Sequence, residues 1–153
     1  MKNRTAIDFS LDDKFGNINK LSNIKSKYKV IYFYPSDNTP GCTIESKEFS
    51  DLISSFKKLD AEIIGISGGD KKSKEKFCSQ HNLKLLLLSD TDFSVSKSYK
   101  VYGEKSFMGR KFLGIKRTTF ILNKDNKIIE VFENVKPLGH AAKVLDYVKN
   151  INF

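Results

Sequence analysis

Cys42 is the residue whose type and setting most invite chemistry in this chain. It follows a turn, Thr39-Pro40-Gly41, and stands where a helical pattern begins. At a helix start the unpaired N–H groups and the positive end of the dipole favour thiolate over thiol. That makes a nucleophile of a side chain that is mostly protonated at neutral pH. Pro40 and Gly41 shape a tight turn that can present backbone N–H groups to a small ligand, and Thr39 adds a hydroxyl beside it. Such a pocket suits a small polar oxygen compound rather than a bulky substrate. On composition alone, reading a single cysteine at a helix start as a small buried hydrophobe is slightly ahead.

The second thiol, Cys78, lies 36 positions further on, in a helical stretch beside Phe77, which is expected to face the core. Other constellations are weaker. Cys78-x-x-His81 has a metal-ligand look, but two ligands do not make a zinc site, and His140 is far away in sequence. Gly68-Gly69-Asp70 lacks the following GK[ST] of a phosphate loop. No CxxC is present, so the chain is not itself a thioredoxin-type dithiol reductase.

These residues need a frame. Residues 6–20 alternate loosely around Gly16 and read as a small N-terminal hairpin; Leu21 to Lys29 is a polar connection. The run Val30-Ile31-Tyr32-Phe33-Tyr34 is a buried strand leading into the Cys42 loop. From Thr43 to about Leu59 the apolar positions Phe49, Leu52, Ile53, Phe56 and Leu59 predict one helix, with Glu45 and Glu48 early and Lys57-Lys58 late, as its dipole prefers. A strand over Glu62–Ser67, a helix over Lys71–Asn82 capped by Ser67 or Asp70, and a strand over Leu83–Leu88 follow. A short helix runs to about Tyr99, and Val101 to Lys116 is a loop or hairpin punctuated by glycines. Strands at Thr118–Leu122 and Ile128–Glu133 form a second hairpin, and a helix opened by Pro137 closes the chain. Strands alternating with helices predict an α/β fold, with helices on both faces of the sheet and an antiparallel pair at its end.

A length of 153 residues predicts a single domain, and 39% hydrophobic residues can fill a core without a disulfide or metal scaffold. The formal net charge of +9 raises nucleic acid as a partner. The lysines, however, are interleaved with Asp and Glu, with no block of five or six like charges, so a basic nucleic-acid-binding protein is the minor reading. The opening MKNRTAIDFSLDD has no apolar signal core, and no run approaches the ~18 apolar residues of a membrane span. A cytoplasmic protein with reduced thiols is expected, in which any disulfide is catalytic rather than structural.

The motif set resembles a known family. Pro35-Ser36-Asp37-Asn38-Thr39-Pro40-Gly41-Cys42 matches the PxxxTxxC signature of peroxiredoxins, and FYPSDNTPGCTIE resembles the Q-type, or bacterioferritin comigratory, group. Gly65-Ile66-Ser67, LLSD at Leu87 to Asp90, YGEKSFMG at Tyr102 to Gly109 and GIKRTTFIL at Gly114 to Leu122 fall in family order, so the resemblance covers nearly the whole chain. It implies a thioredoxin-like fold with a central mixed sheet and a peroxidase acting on hydrogen peroxide and organic hydroperoxides. No metal, haem or flavin is implied, since sulfur carries the electrons. Thioredoxin or a similar dithiol is the implied reductant, and a monomer the implied state.

Carried over by motif, Cys42 is the peroxidatic cysteine, Thr39 holds the peroxide, Pro35 shields the sulfenic acid, and Arg117 stabilises the thiolate and the leaving oxygen. Glu45 is expected to orient Arg117 through a bidentate contact, or else to be an ordinary helix carboxylate. Many Q-type members place a resolving cysteine five residues after the first; here that position is Lys47. Another subset places it in the helix that here holds Cys78, which makes Cys78 the implied resolving residue. The alternative is a one-cysteine peroxidase reduced directly by an external thiol. A disulfide needs Cα atoms about 4.4–6.8 Å apart. One or both helices are therefore expected to unwind, and the Ser, Lys and Gly content of Gly68 to Lys76 predicts a locally weak helix.

Overall fold

A computed structural model describes residues 1–152. Its strands are β1 (Ser10–Asp12), β2 (Ile18–Lys20), β3 (Tyr28–Phe33), β4 (Ala61–Ser67), β5 (Leu86–Ser89), β6 (Tyr102–Phe107), β7 (Arg110–Ile115), β8 (Thr118–Leu122) and β9 (Ile128–Phe132). Its α-helices are α1 (Pro40–Asp51), α2 (Ile53–Lys58), α3 (Lys71–His81), α4 (Ser94–Ser98) and α5 (His140–Ile151). Seven strands form one mixed sheet in the order β2-β1-β5-β4-β3-β8-β9, and β6 and β7 form a separate antiparallel ribbon. The N-terminal hairpin is β1–β2, and the glycine-punctuated segment is the β6–β7 hairpin, turned at Met108 and Gly109, both with positive φ.

The β3 run is buried along its whole length because both faces of the sheet are covered there. Val30 and Tyr32 of β3, Ile63 of β4 and Ile121 of β8 point into one core with side chains from α1, α2, α3 and α5. Ile31 and Phe33, Ile64 and Ile66, and Phe120 and Leu122 point the other way, against the N-terminal segment, Tyr99 and the foot of the β6–β7 ribbon. Side chains alternate across a strand, so one sequence run serves both cores. Helices lie on both sides as expected, but unevenly: α4, through Val95, is the helix on the second face.

The helix expected over residues 43–59 is two helices. It starts earlier, at Pro40, and breaks at Leu52 (φ −97°, ψ 7°). The apolar period continues across the break because Phe49 and Phe56 still meet, with ring centroids 6.0 Å apart. The early start leaves no acidic residue in the first turn, so Glu45 and Glu48 do not cap a dipole as their sequence positions suggest. Among the described residues no helix is long and apolar enough to cross a membrane.

Register decides what gathers at one end of the sheet. β3 runs parallel to β4 with Phe33 opposite Ile66, and antiparallel to β8 with Phe33 opposite Thr118. The segment after β3, the segment after β4 and the residue just before β8 therefore converge. These are the Cys42 loop, the approach to α3, and Arg117.

Candidate active site

Cys42 occupies the third position of α1, after Pro40 and Gly41, with Thr39 as the N-cap. Proline suits the first helical position because it has no N–H to leave unpaired. The Thr39 backbone is extended and its carbonyl accepts the first helical bond, from Thr43 N at 2.9 Å. Its hydroxyl makes no cap; it donates to the Ser36 carbonyl at 3.4 Å. The first-turn N–H groups are thus not taken by the Thr39 side chain, and the hydroxyl is not bonded to the sulfur. Pro35 is half-buried in the same loop.

The Cys42 side chain is fully buried, at 0% exposure. Arg117 approaches it from the β7–β8 link: Nη2 lies 3.5 Å from Sγ, and Nη1 donates to Glu45 Oε1 at 2.8 Å. Gly41 makes room for this approach, since a Cβ there would stand 3.1 Å from Arg117 Nη2 and 3.3 Å from Pro137 Cγ. Glu45, one turn after Cys42, is also 0% exposed. It makes a single contact to Arg117, not the bidentate one expected, because Nη2 is turned to the sulfur; Oε2 is left buried without a partner among the described residues.

The charges follow from this arrangement. Burial pushes the Glu45 carboxyl up to about 7, against the pull of Arg117. Burial opposes the charge on Arg117, but Cys42 and Glu45 outweigh it and hold the guanidinium above its ordinary value. Nearby, burial lowers His140 to about 4, aided by Lys143 and Arg117; its Nε2 is 2.8 Å from Thr119 Oγ1.

Cys78 is a free thiol on the inner face of α3, in the same core cluster as Cys42. Burial pushes it up, with Asp37 adding to the effect and Lys14 and Lys74 opposing it. A cavity of about 50 Å³ opens beside it, lined by Asp13, Lys14, Phe15 and Leu85 to Leu87. The helix is not frayed in this state. Asp70 caps its start by accepting from Ser73 N at 2.9 Å, and Asn82 ends it in the left-handed conformation. His81 does not act as a second ligand with Cys78: its Nε2 pairs with Asn38 Oδ1 at 2.9 Å.

The motif does not reveal a buried network that ties the loop before Cys42 to the helix carrying Cys78. Lys74 and Asp37 form an ion pair whose side chains are 0% and 3% exposed, joined by Tyr34, Ser67 and Ser73. The available signal was a lysine one turn before Cys78 and three residues before Phe77, on the stripe that faces the core.

Comparison with known proteins places this geometry. Residues 3–131 match the model of the AhpC/TSA family. A putative peroxiredoxin Bcp of Helicobacter pylori strain J99 is 45% identical over 141 residues, 92% of this chain and 93% of that protein. The solved bacterioferritin comigratory protein of Xanthomonas campestris, described for its alkyl peroxide reduction activity, superposes with a TM-score of 0.89 at 34% identity, covering 95% of this chain and 92% of that one. Xanthomonas campestris peroxiredoxin Q, in one cysteine-to-serine form, gives the same TM-score of 0.89 at 34% identity, covering 95% and 92%; a second such form substitutes a cysteine 36 positions away.

The chain is a peroxidase enzyme built on a thioredoxin-like fold. It belongs to the AhpC/TSA family, and its relatives there are the Bcp, or Q-type, peroxiredoxins.

Proposed function

We infer that Cys42 is the peroxidatic residue of a two-cysteine cycle. Its thiolate attacks one oxygen of hydrogen peroxide or an organic hydroperoxide; the O–O bond breaks, Cys42 becomes a sulfenic acid, and water or alcohol leaves with a proton. Cys78 then attacks the sulfenic sulfur, forming the Cys42–Cys78 disulfide and releasing water. A dithiol protein, thioredoxin or one like it, takes the disulfide back to two thiols. The observation that carries this reading is the Arg117 guanidinium 3.5 Å from the Cys42 sulfur. A fixed cation at that distance can stabilise charge developing on the departing oxygen. The alkyl peroxide activity named for the Xanthomonas campestris relative supports the substrate class.

Thr39 would bind the peroxide by turning its hydroxyl from Ser36 to the ligand, and Pro35 would shield the sulfenic acid. Because Cys42 is fully covered, peroxide entry requires the side chains over it to move. The 36-residue spacing between Cys42 and Cys78 equals that of the two cysteines replaced in the Xanthomonas campestris peroxiredoxin Q. That equality supports Cys78 as the resolving residue, acting as a monomer through an intramolecular bond.

One observation favours the other reading, a one-cysteine enzyme: Cys78 sits in a capped helix, one turn from a buried ion pair. Peroxide consumption with a thioredoxin system separates them. The two-cysteine cycle predicts no turnover for Cys42→Ser and none beyond the first for Cys78→Ser. Undiminished turnover of Cys78→Ser would establish the one-cysteine cycle.

A further inference from the structure

Lys74 is a fully buried lysine that the reaction sequence above does not use. Its Nζ lies 3.2 and 3.1 Å from the two Asp37 oxygens and 3.2 Å from the Gly69 carbonyl, and also bonds Ser67 Oγ. These contacts use all three ammonium protons. The Asp37 carboxylate is equally saturated, accepting from Tyr34 OH at 2.7 Å, Ser67 Oγ and Ser73 Oγ. Gly69 permits the approach, because a Cβ there would collide with Asp37 and Ser73. This is a built ion pair, not a chance surface contact.

What it joins is specific. Asp37 lies in the loop that leads into α1 and Cys42, and Lys74 lies one helical turn before Cys78. The inner face of α3 reads Lys74, Phe77, Cys78, His81, at the spacing of one helical stripe. Three of these four grip the segment 34–38: Lys74 on Asp37, Phe77 on the Tyr34 ring at 6.1 Å, and His81 on Asn38. The Cys42–Cys78 bond proposed above needs Cα atoms about 4.4–6.8 Å apart, and unwinding α3 to reach that distance takes Lys74 off Asp37 together with Cys78. Asp37 would then be a buried carboxylate without its cation, a state strongly disfavoured unless the loop opens and water reaches it.

We propose that the Asp37–Lys74 pair is a positioning clip that makes the opening of α3 and of the Pro35–Thr39 loop with the start of α1 one cooperative event. In the closed state it holds the loop that carries Thr39 and the approach to Cys42. In the open state it releases both thiols together. The purpose rests on the two-cysteine cycle; the coupling does not, and can be read in the reduced protein.

The test is amide hydrogen exchange by mass spectrometry on reduced protein, wild type against Lys74→Met and Asp37→Asn. Lys74→Met is expected to speed exchange in residues 36–41, a segment it does not alter, by about tenfold or more, and Asp37→Asn to speed residues 72–81 likewise, since coupling is reciprocal. Amides of β3 and β8 should stay within about twofold of wild type, as expected when opening is local. Acceleration confined to the substituted segment would overturn the clip. So would a uniform acceleration that includes β3 and β8, which would make the pair an ordinary core contact. Should Lys74→Met not fold, Ser73→Ala, which removes one donor to Asp37, is read the same way with a smaller effect. Disulfide formation after one equivalent of peroxide, expected to be about tenfold faster in Lys74→Met by the same local-opening logic, separates the two readings. Coupled exchange with no disulfide would keep the clip and reject Cys78 as the resolving residue.

Discussion

Arg117 divides its guanidinium between two partners, Nη2 on Cys42 Sγ at 3.5 Å and Nη1 on Glu45 Oε1 at 2.8 Å. The residue reaches this position because β8 runs antiparallel to β3 with Thr118 opposite Phe33, so the residue before Thr118 lies level with the loop after Phe33. Local sequence supplies the sulfur, and sheet register supplies the charge.

Removing that charge should slow the first chemical step. Arg117→Met is expected to lower the second-order rate of Cys42 with peroxide by about 10²–10³, the usual cost of losing one donor aimed at developing charge. Arg117→Lys should recover part of it, because an ammonium keeps the charge but not the fork that serves both partners. Stopped-flow measurement checks this; a rate within twofold of wild type for Arg117→Met would remove Arg117 from the chemistry.

Gly41→Ala should separate activity from stability. A Cβ at that position stands 3.1 Å from Arg117 Nη2 and 3.3 Å from Pro137 Cγ, so the guanidinium must shift by a few tenths of an ångström. Alanine in a helix is worth up to about 1 kcal/mol over glycine, which offsets the crowding. The expected result is a peroxide rate down by about tenfold, since misplacing a charge-stabilising group is costly, with the thermal midpoint nearly unchanged. A large fall in the midpoint with an intact rate would show that the crowding falls elsewhere.

Two buried groups should oppose each other in acid. Glu45 is raised from 4.5 to about 7, so the folded state holds its proton more tightly than the unfolded state. Its contribution to stability is fully present below pH 4.5 and is lost as pH rises through 7. His140 is lowered from 6.5 to about 4, so the unfolded state binds its proton more tightly, and stability is lost as pH falls from 6.5 toward 4. Each effect is on the order of 3 kcal/mol. Glu45→Gln should expose the His140 loss, with a thermal midpoint falling in acid, and His140→Gln should expose the Glu45 gain, with a midpoint rising. Parallel pH profiles for wild type and both variants would refute the assignment.

Cys78→Ser should leave the first reaction of Cys42 with peroxide within about twofold, because the substituted atom touches none of the groups that stabilise the sulfur. It should convert the endpoint from disulfide to Cys42 sulfinic acid under repeated peroxide. Intact-mass and peptide-mapping spectra read both states, and a Cys78→Ser protein that cycles with thioredoxin at the wild-type rate would dismiss the resolving role.

Much of this was legible in sequence because it is local. The Pro35 to Cys42 motif occupies one loop and the first turn of α1, the strand after Lys29 announces itself by the unbroken β-branched and aromatic run Val30–Tyr34, and Arg117 sits in a matching string before β8. The break at Leu52 was hidden because the apolar period of Phe49, Ile53 and Phe56 continues through it, and periodicity registers the face of a helix, not its axis. The Asp37–Lys74 pair was hidden for a different reason. Each residue reads as a solvated charge, 37 positions apart, and only the parallel register of β3 and β4 brings the loops after them together. The orphaned Glu45 oxygen likewise depends on how Arg117 divides its fork, which no spacing rule encodes.

The most direct test of the central claim is a single-turnover reaction of Cys78→Ser with one equivalent of peroxide in the presence of a sulfenic-acid trap such as dimedone, followed by peptide mapping. Cys42 as the peroxide-reactive sulfur predicts one adduct, on the peptide carrying Cys42, and none in Cys42→Ser. Peroxide consumed without that adduct, or an adduct on Cys78 in Cys42→Ser formed at the wild-type rate, would contradict it.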